Sequence, residues 1–556
     1  MNRPWSCGAG ARRSDRPRQA EARVARALAT SVPAVFALVL VAWPFGAILR
    51  RGLVPDGHID FGPVVDVVAS ARSRALVSFT VRQALLSTIV TLAIGLPAAW
   101  AASRRWWGAP IVRVVSTSAF VMPTVVMGLA FRSVIDRGLR GILLAHAAFN
   151  VAVVVRLVGE RWRTMHDDAT AAARSLGATP GRAFRDVTLP RLRPAVSAAA
   201  LLTFLFSFTS FGVVLLLGDS GQATIETEIY RLTRTLRFDA AAALALVQVV
   251  VVAAVFAANG AVARRTTVLQ PRAPAELWPL AGVVASAPAL ALVTVPVAVL
   301  AARVLHPGGR WGLAGLRTLA RDDLVLPVRP IETLGISLRY AAVACGVAML
   351  VGMLAAATVG TGRRRFGRVV DVLLLLPLGV SAVTIGYGYL ITFDEAPLRL
   401  RDHWYAVPLA HAAVAVPFVV RALVPALGAV DPRVREAAAS LGARRMRVWT
   451  SIDLPLVAPA LAVAAGFAAA ISLGEFGATA LLGRNGTPTA PFAITRLLGA
   501  PGSANRLAAD ALALVLVGLT LVVMAIAERV GARSGRRVAA RDIRVAARLR
   551  RQVAAR

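Results

Sequence analysis

The 63 basic residues of this 556-residue chain are all arginine; lysine is absent. A P-loop needs a lysine to reach the β- and γ-phosphates of a nucleotide. The chain is therefore not expected to hydrolyse ATP itself; if ATP drives it, another subunit carries the nucleotide. Cysteine is nearly absent too, with only Cys7 in a polar N-terminal arm and Cys345 inside an apolar run. Two such residues build neither a disulfide framework nor a thiolate metal site; a cytoplasmic thiol and a small core residue are the readings they support. The six histidines are scattered, and neither His-Glu-x-x-His nor Gly-x-Ser-x-Gly occurs. No hydrolytic, redox or metal centre, no catalytic residue and no cofactor is expected.

Acidic residues are scarce as well, 29 against 63 basic, which leaves a net charge of +34. An excess of that size invites a nucleic-acid reading, because clustered arginines neutralise phosphates. Here the arginines sit in loops between apolar runs, where the positive-inside rule places them. Membrane lipid is the expected partner, and nucleic acid is not.

What the chain has in abundance is apolar sequence: 57% of its residues, with a mean hydropathy of +0.66. Runs of roughly 20 apolar residues, each long enough to cross a hydrocarbon core about 30 Å thick, recur about twelve times. They fall near 28–48, 78–102, 114–135, 141–158, 194–217, 240–263, 277–302, 335–359, 369–391, 404–421, 456–473 and 507–527. The expected fold is all-α, a polytopic membrane protein of about twelve transmembrane helices. The expected divisions are a basic cytoplasmic arm (1–27), a six-span repeat (28–263), a cytoplasmic linker (264–276), a second six-span repeat (277–527) and a basic cytoplasmic tail (528–556). Arg12, Arg13, Arg16 and Arg18 precede the first span, Arg104, Arg105 and Arg113 follow the second, and Arg363, Arg364, Arg365 and Arg368 follow the eighth. These clusters put both termini in the cytoplasm, although the outer loop 303–329 also carries arginine. The tail arginines Arg537, Arg541, Arg544, Arg548 and Arg551 form a helical stripe that suits either an anionic lipid surface or a solvated end.

The repeat is explicit. Residues 144–148, LAHAA, recur at 409–413; Arg156 matches Arg421; Thr224, Ile229 and Arg231 match Thr489, Ile494 and Arg496, all 265 positions apart. Six spans return the chain to its starting side, so the two halves are parallel and related by an axis along the membrane normal. The repeat also pairs two polar interruptions, 166–194 and 431–459. Each reads as a short alanine-bearing helix, a glycine break, a second short helix and a Leu-Pro that opens the next span. Gly177 and Gly442 suit a helix C-terminal break, and Pro190 and Pro455 the first turn of the following helix.

These loops resemble the EAA loop (Glu-Ala-Ala, three residues, Gly, later Leu-Pro) of permease subunits in binding-protein-dependent ABC importers. The second carries Glu436, Ala437, Ala438, Gly442, Leu454 and Pro455; the first carries Ala172, Ala173, Gly177, Leu189 and Pro190, with Ala171 where the family has Glu. The whole chain is similar to the fused twelve-span permeases of thiamine and ferric-iron importers, and FLFSFTSFGVVLLLG with SLGEFGATALLG looks closer to the thiamine type. Sulfate and molybdate permeases share a similar Gly-Glu-Phe-Gly-Ala stretch in shorter subunits. The resemblance implies a bacterial plasma-membrane permease that moves a small solute inward, two copies of an ATPase subunit docked on the EAA loops, and an external solute-binding protein. The alternative, a twelve-span secondary transporter, would need intramembrane carboxylates for ion coupling and has no use for two matched cytoplasmic loops.

The candidate pathway residues are Ser210, Phe211 and Gly212 with their repeat mates Glu475, Phe476 and Gly477. Glu475 is placed near the outer end of the eleventh span, where a carboxylate would attract a cation or be satisfied by backbone and water. His146 and His411, also repeat mates, suggest a two-histidine site on the axis, but a hydrogen bond from each to a neighbouring span is the preferred reading. Tyr387 and Tyr389 are read as packing residues. The topology carries a direct test: cysteines placed at Arg174 and Ala439 are expected to resist membrane-impermeant thiol reagents in intact cells, and labelling of either overturns the orientation.

Overall fold

The computed structural model describes residues 30–54, 57–165, 168–263, 275–359, 364–394, 399–400, 403–483 and 486–554. The N-terminal arm with Cys7 and its arginines, most of the linker, His166 and Arg363 lie outside the described residues. In hydrocarbon every backbone N–H and C=O needs a partner within the protein, so each apolar run closes on itself as a helix. The first half runs through α1 (Thr30–Leu53), α2 (Ala71–Ser103), α3 (Ala109–Val121), α4 (Thr124–Arg132), α5 (Leu139–Thr164), α6 (Asp168–Ser175), α7 (Leu189–Phe208), α8 (Gly212–Leu217), α9 (Ile225–Arg234) and α10 (Phe238–Ala263). The second half repeats that order as α11 (Pro279–Leu305), α12 (Pro330–Val359), α13 (Arg364–Leu375), α14 (Ala382–Thr392), α15 (Ala406–Gly428), α16 (Pro432–Ser440), α17 (Leu454–Gly474), α18 (Gly477–Leu482), α19 (Ala490–Gly499) and α20 (Ser503–Ala554).

Among the described residues ten helices are long and apolar enough to cross a membrane, or eleven if α3 and α4, bent by 106°, count as one. Every expected span thus meets a helix, but the third and ninth are each two short helices. The all-α, polytopic expectation agrees with this architecture. Apolar side chains such as Ile89, Val284, Val522 and Ile526 are left exposed along the spans, as a lipid-facing surface requires.

Close helix approach builds each half in the same way. A Cβ on Gly95 of α2 would come within 2.9 Å of Val154 on α5, and one on Gly352 of α12 within 2.5 Å of Val419 on α15. Small residues at these crossings let backbones touch, which is how helices gain packing where lipid is as apolar as they are.

The two halves are not self-contained. Helix α1 lies between its own α10 and α14 of the other half, where the Tyr389 hydroxyl donates to the Leu40 carbonyl at 2.9 Å. Helix α11 does the reciprocal, packing on α20 and on α2, with Gly282 against the Trp106 ring. Tyr387 and Tyr389 are both buried, their hydroxyls on the carbonyls of Phe238 and Leu40. The last helix, α20, continues without a break from the twelfth span to Ala554.

Candidate functional site

Two features stand out: a pair of exposed loops and a cavity between the halves. The loops follow α5 and α15. Gly177 (φ +88°) and Gly442 (φ +82°) end α6 and α16 in the left-handed region, where a side chain would be strained. Ala178 N–H bonds to Ala173 O and Ala443 N–H to Ala438 O, both at 3.0 Å, the six-residue closure of a Schellman motif. Each loop then makes one wide π turn, Phe184–Thr188 and Trp449–Asp453, before Leu189-Pro190 and Leu454-Pro455 open α7 and α17. Ala172, Glu436 and Ala437 are exposed, and Ala173 and Ala438 half-buried. Leu176 and Leu441, repeat mates just ahead of the glycines, are each 88% exposed. The same glycine cap holds an apolar side chain in solvent on both loops.

The loops differ inside. Arg435 Nε donates to the Asp453 carboxylate at 2.7 Å, and a second guanidinium N–H reaches the Leu427 carbonyl at 3.1 Å. At the equivalent positions of the first loop the Thr170 and Thr188 hydroxyls lie 3.4 Å apart. An ion pair in one copy is thus a pair of hydroxyls in the other.

The cavity, about 240 Å³, sits where four helices break. The α3–α4 joint contributes Met122, Pro123 and Thr124, and the α7–α8 joint Thr209, Ser210, Phe211 and Gly212. The stretch before α14 adds Pro377 and Ser381, and the α17–α18 joint Gly474, Glu475, Phe476 and Gly477. All six candidate pathway residues therefore line one cavity. Phe211 and Phe476 stack with centroids 5.2 Å apart and planes at 13°. Because they are repeat mates in contact, the stack lies on the axis that relates the halves; such a pair is worth about 0.5–1.5 kcal/mol beyond its buried area. Gly474 packs against Pro123 of the other half, and Gly477 against the Val383 backbone within its own half.

Glu475 does not sit at an exposed span end. The chain continues past it into α18, and the joint buries it to 7% exposure. Its carboxylate accepts from Ala478 N–H at 3.2 Å and Thr479 N–H at 3.4 Å, capping α18, and His411 Nε2 lies 3.3 Å away. His411 is fully engaged, its Nδ1 on Ser472 and its Nε2 on Thr479, both at 2.8 Å. His146 bonds Ser87 through Nδ1 at 3.0 Å, but among the described residues its buried Nε2 has no partner, and neither does Asn150 Oδ1 one helical turn on. A buried polar atom left unpaired costs roughly 1–3 kcal/mol.

The sequence reading missed the rest of the wall. Phe120 packs on Phe149 at 5.1 Å and on Phe206 at 5.7 Å, with Phe467 at 6.5 Å. Glu226 on α9 is wholly buried and hydrogen-bonded by Ser381 and Gln248, tying the first half to the break before α14. One signal pointed there, the four-residue spacing of His146 and Asn150 in an apolar helix; for the loops, the 265-residue offset that pairs Leu176 with Leu441 was the corresponding signal.

A two-half helical membrane protein with broken spans converging on a central cavity is, as a class, a transport permease. A family model described as binding-protein-dependent transport system inner membrane component matches residues 91–268. The thiamine transport system permease protein ThiP of Brucella melitensis biotype 1 is 28% identical over 491 residues, 82% of this chain and 87% of that protein. The ThiP of Escherichia coli K12 is 27% identical over 413 residues, 71% and 74% of the two chains. The molybdenum transport system permease protein ModB of Escherichia coli K12 is 36% identical over 168 residues, 27% of this chain and 73% of that one. The chain belongs to the family of binding-protein-dependent transport inner membrane components, with two permease halves fused in one polypeptide.

The loop asymmetry is testable. Arg435→Thr leaves Asp453 buried beside a neutral partner; because Arg435 is partly exposed, the expected loss is roughly 1–2 kcal/mol rather than the full value for a buried pair. The double variant Arg435→Thr/Asp453→Thr copies the first loop and should recover the melting temperature of the solubilised protein. A double variant no more stable than the single one refutes the equivalence.

Proposed function

We propose that the chain is the membrane-spanning subunit of an importer that moves a small organic cation, thiamine or a close analogue, inward. A solute-binding protein delivers the solute from outside. Two ATPase subunits dock on the two loops, which lie on the cytoplasmic side with both termini. The observation that carries this reading is the matched pair of rigid, exposed, glycine-closed loops, each joined to a helix that ends at the central cavity. In it, Ala172, Ala173 and Gly177 on one loop and Glu436, Ala437, Ala438 and Gly442 on the other form the docking helices, and Leu176 and Leu441 are their apolar anchors. Leu189-Pro190 and Leu454-Pro455 pass movement to α7 and α17. Closure of the ATPase pair on ATP would then shift two packed arrangements of the halves, a rigid-body transition.

The cation reading draws on the ThiP relatives and on the cavity, whose wall, among the described residues, holds one carboxylate, Glu475, many aromatic rings and no arginine. Aromatic faces and a single carboxylate suit a flat organic cation. Ferric ion would ask for a cluster of oxygen ligands, and among the described residues no group of three His, Cys, Asp or Glu could hold a metal. A second reading, an oxyanion as in the name of the ModB relative, has its own support: α4 and α8 begin at the cavity without a side-chain cap, and helix N-termini favour anions.

Two expected outcomes test the proposal. Leu176→Asp/Leu441→Asp and Glu436→Ala are expected to lower co-purification of the ATPase by tenfold or more in the double leucine variant and by less in Glu436→Ala, where one loop is untouched. Unchanged association in all of them overturns the docking assignment. Glu475→Gln keeps the shape and removes the charge, so thiamine uptake at normal expression should fall several-fold. An increase in molybdate uptake in the same variant would instead establish the oxyanion reading.

A further inference from the structure

The two halves treat their equivalent histidines differently. In the second half both ring nitrogens of His411 are bonded, and the position that matches Asn150 is Ala415, which needs no partner. In the first half His146 and Asn150 are 2% and 1% exposed, lie one turn apart on α5 and both line the cavity. Ser87 holds the His146 Nδ1 at 3.0 Å and the Asn150 amide donates to Ser207 Oγ at 3.3 Å, so both side chains are fixed while His146 Nε2 and Asn150 Oδ1 stay unpartnered. The Gln83 amide donates to the Ser207 carbonyl at 2.8 Å and braces the same cluster from α2. Among the described residues a few buried side-chain atoms away from the cavity, such as Gln83 Oε1, Thr203 Oγ1 and Thr489 Oγ1, also lack a partner; His146 and Asn150 differ in that both line the cavity, each held by one hydrogen bond with one atom left over.

Beside that pair the rings of Phe120, Phe149 and Phe206 meet at 5.1 to 6.5 Å between centroids, and Glu475 lies in the facing wall of the same cavity. Aromatic faces select a flat ring, an amide oxygen selects an N–H donor on its edge, and the imidazole nitrogen pairs with a second edge group. The volume, about 240 Å³, lies below the roughly 300–1,000 Å³ of pockets for drug-sized ligands and limits the occupant to a small molecule.

Building on the cation reading above, we propose that the permease carries its own ligand-selective site in the central cavity. It takes a nitrogen heteroaromatic ring bearing an amino group, its edge on His146 Nε2 and Asn150 Oδ1, its face against the phenylalanines and its positive charge toward Glu475. Selection of solute is then made twice, once by the external receptor and once inside the membrane. Since a site that merely conducted would not discriminate, ring recognition is the property to measure.

The experiment uses the full permease–ATPase complex in nanodiscs, without the solute-binding protein, and radiolabelled thiamine as the probe. Saturable binding is expected, displaced by 4-amino-2-methylpyrimidine and not by choline at the same concentration. Asn150→Leu and His146→Phe should each weaken it by about tenfold, a loss of about 1.4 kcal/mol. The competition pattern is read on the unmodified protein, so it decides even where a variant fails to assemble. Absence of saturable binding, or equal displacement by choline, overturns the site. If receptor-dependent thiamine uptake by cells persists in that case, the importer reading stands without it; if cells take up molybdate and no thiamine, both fall together.

Discussion

The constraint on which the rest depends is that backbone in hydrocarbon must be hydrogen-bonded within the protein. A span can break only where other helices or a polar space take over the freed groups. This chain breaks four spans, after Val121, Phe208, Leu375 and Gly474, and all four breaks meet around one cavity. Two of the freed ends are capped by side chains: Ser381 accepts from Thr384 N–H at 3.1 Å and Glu475 from the first N–H groups of α18. The breaks open a space at the axis, and the space gives the polar side chains there their setting.

Duplication makes the two copies controls for each other. Shared features, such as the Gly95–Val154 and Gly352–Val419 crossings and the two left-handed glycines, are what the fold itself needs. Departures from symmetry mark where the copies were free to differ: Arg435–Asp453 against Thr170–Thr188, Glu475 against Ser210, satisfied His411 against unsatisfied His146. The first departure leaves a loop with the same backbone course, so both pairs serve the same joint. The other two put Glu475, Ser210 and His146 on the cavity, where a single asymmetric solute gains nothing from a symmetric wall.

Much of this was legible because its signals are local and periodic. Apolar runs of span length, the offset repeat and the helix–glycine–helix loops need only chain order to be seen. The broken third and ninth spans were not legible as breaks, since Pro123 and Pro377 sit in runs whose composition matches an unbroken span and kinked helices tolerate proline there. Counting rise along one helix places Glu475 at the end of its span, where α17 stops, but cannot show that the chain goes on into α18, whose first N–H groups hold the carboxylate. The aromatic wall and the Asn150 cluster bring together residues from five helices, α2, α3, α5, α7 and α17, and no pattern within one helix announces that meeting. Exchange of α1 and α11 between halves is equally invisible, because it depends on which faces fit once all helices are formed.

The same geometry sets how far a local push can travel. Helix α7 has 20 residues and α17 has 21, each roughly 30 Å long at 1.5 Å per residue. One end of each continues from a loop through a π turn and the other stops at Phe208 or Gly474, just ahead of Phe211 or Phe476, so each rod joins a loop to the joint that carries the aromatic stack. Proline at the start of each rod, with a second at Pro194 or Pro459, leaves compliance near the loop and a stiff, closely packed segment toward the cavity. A displacement applied at Leu176 and Leu441 together would therefore reach both stacked rings with little loss. Applied to one loop alone, it would shear the stack instead of parting it. On the proposed reading, this is a mechanical reason for two docking loops to be retained in one fused chain even where their internal contacts have diverged.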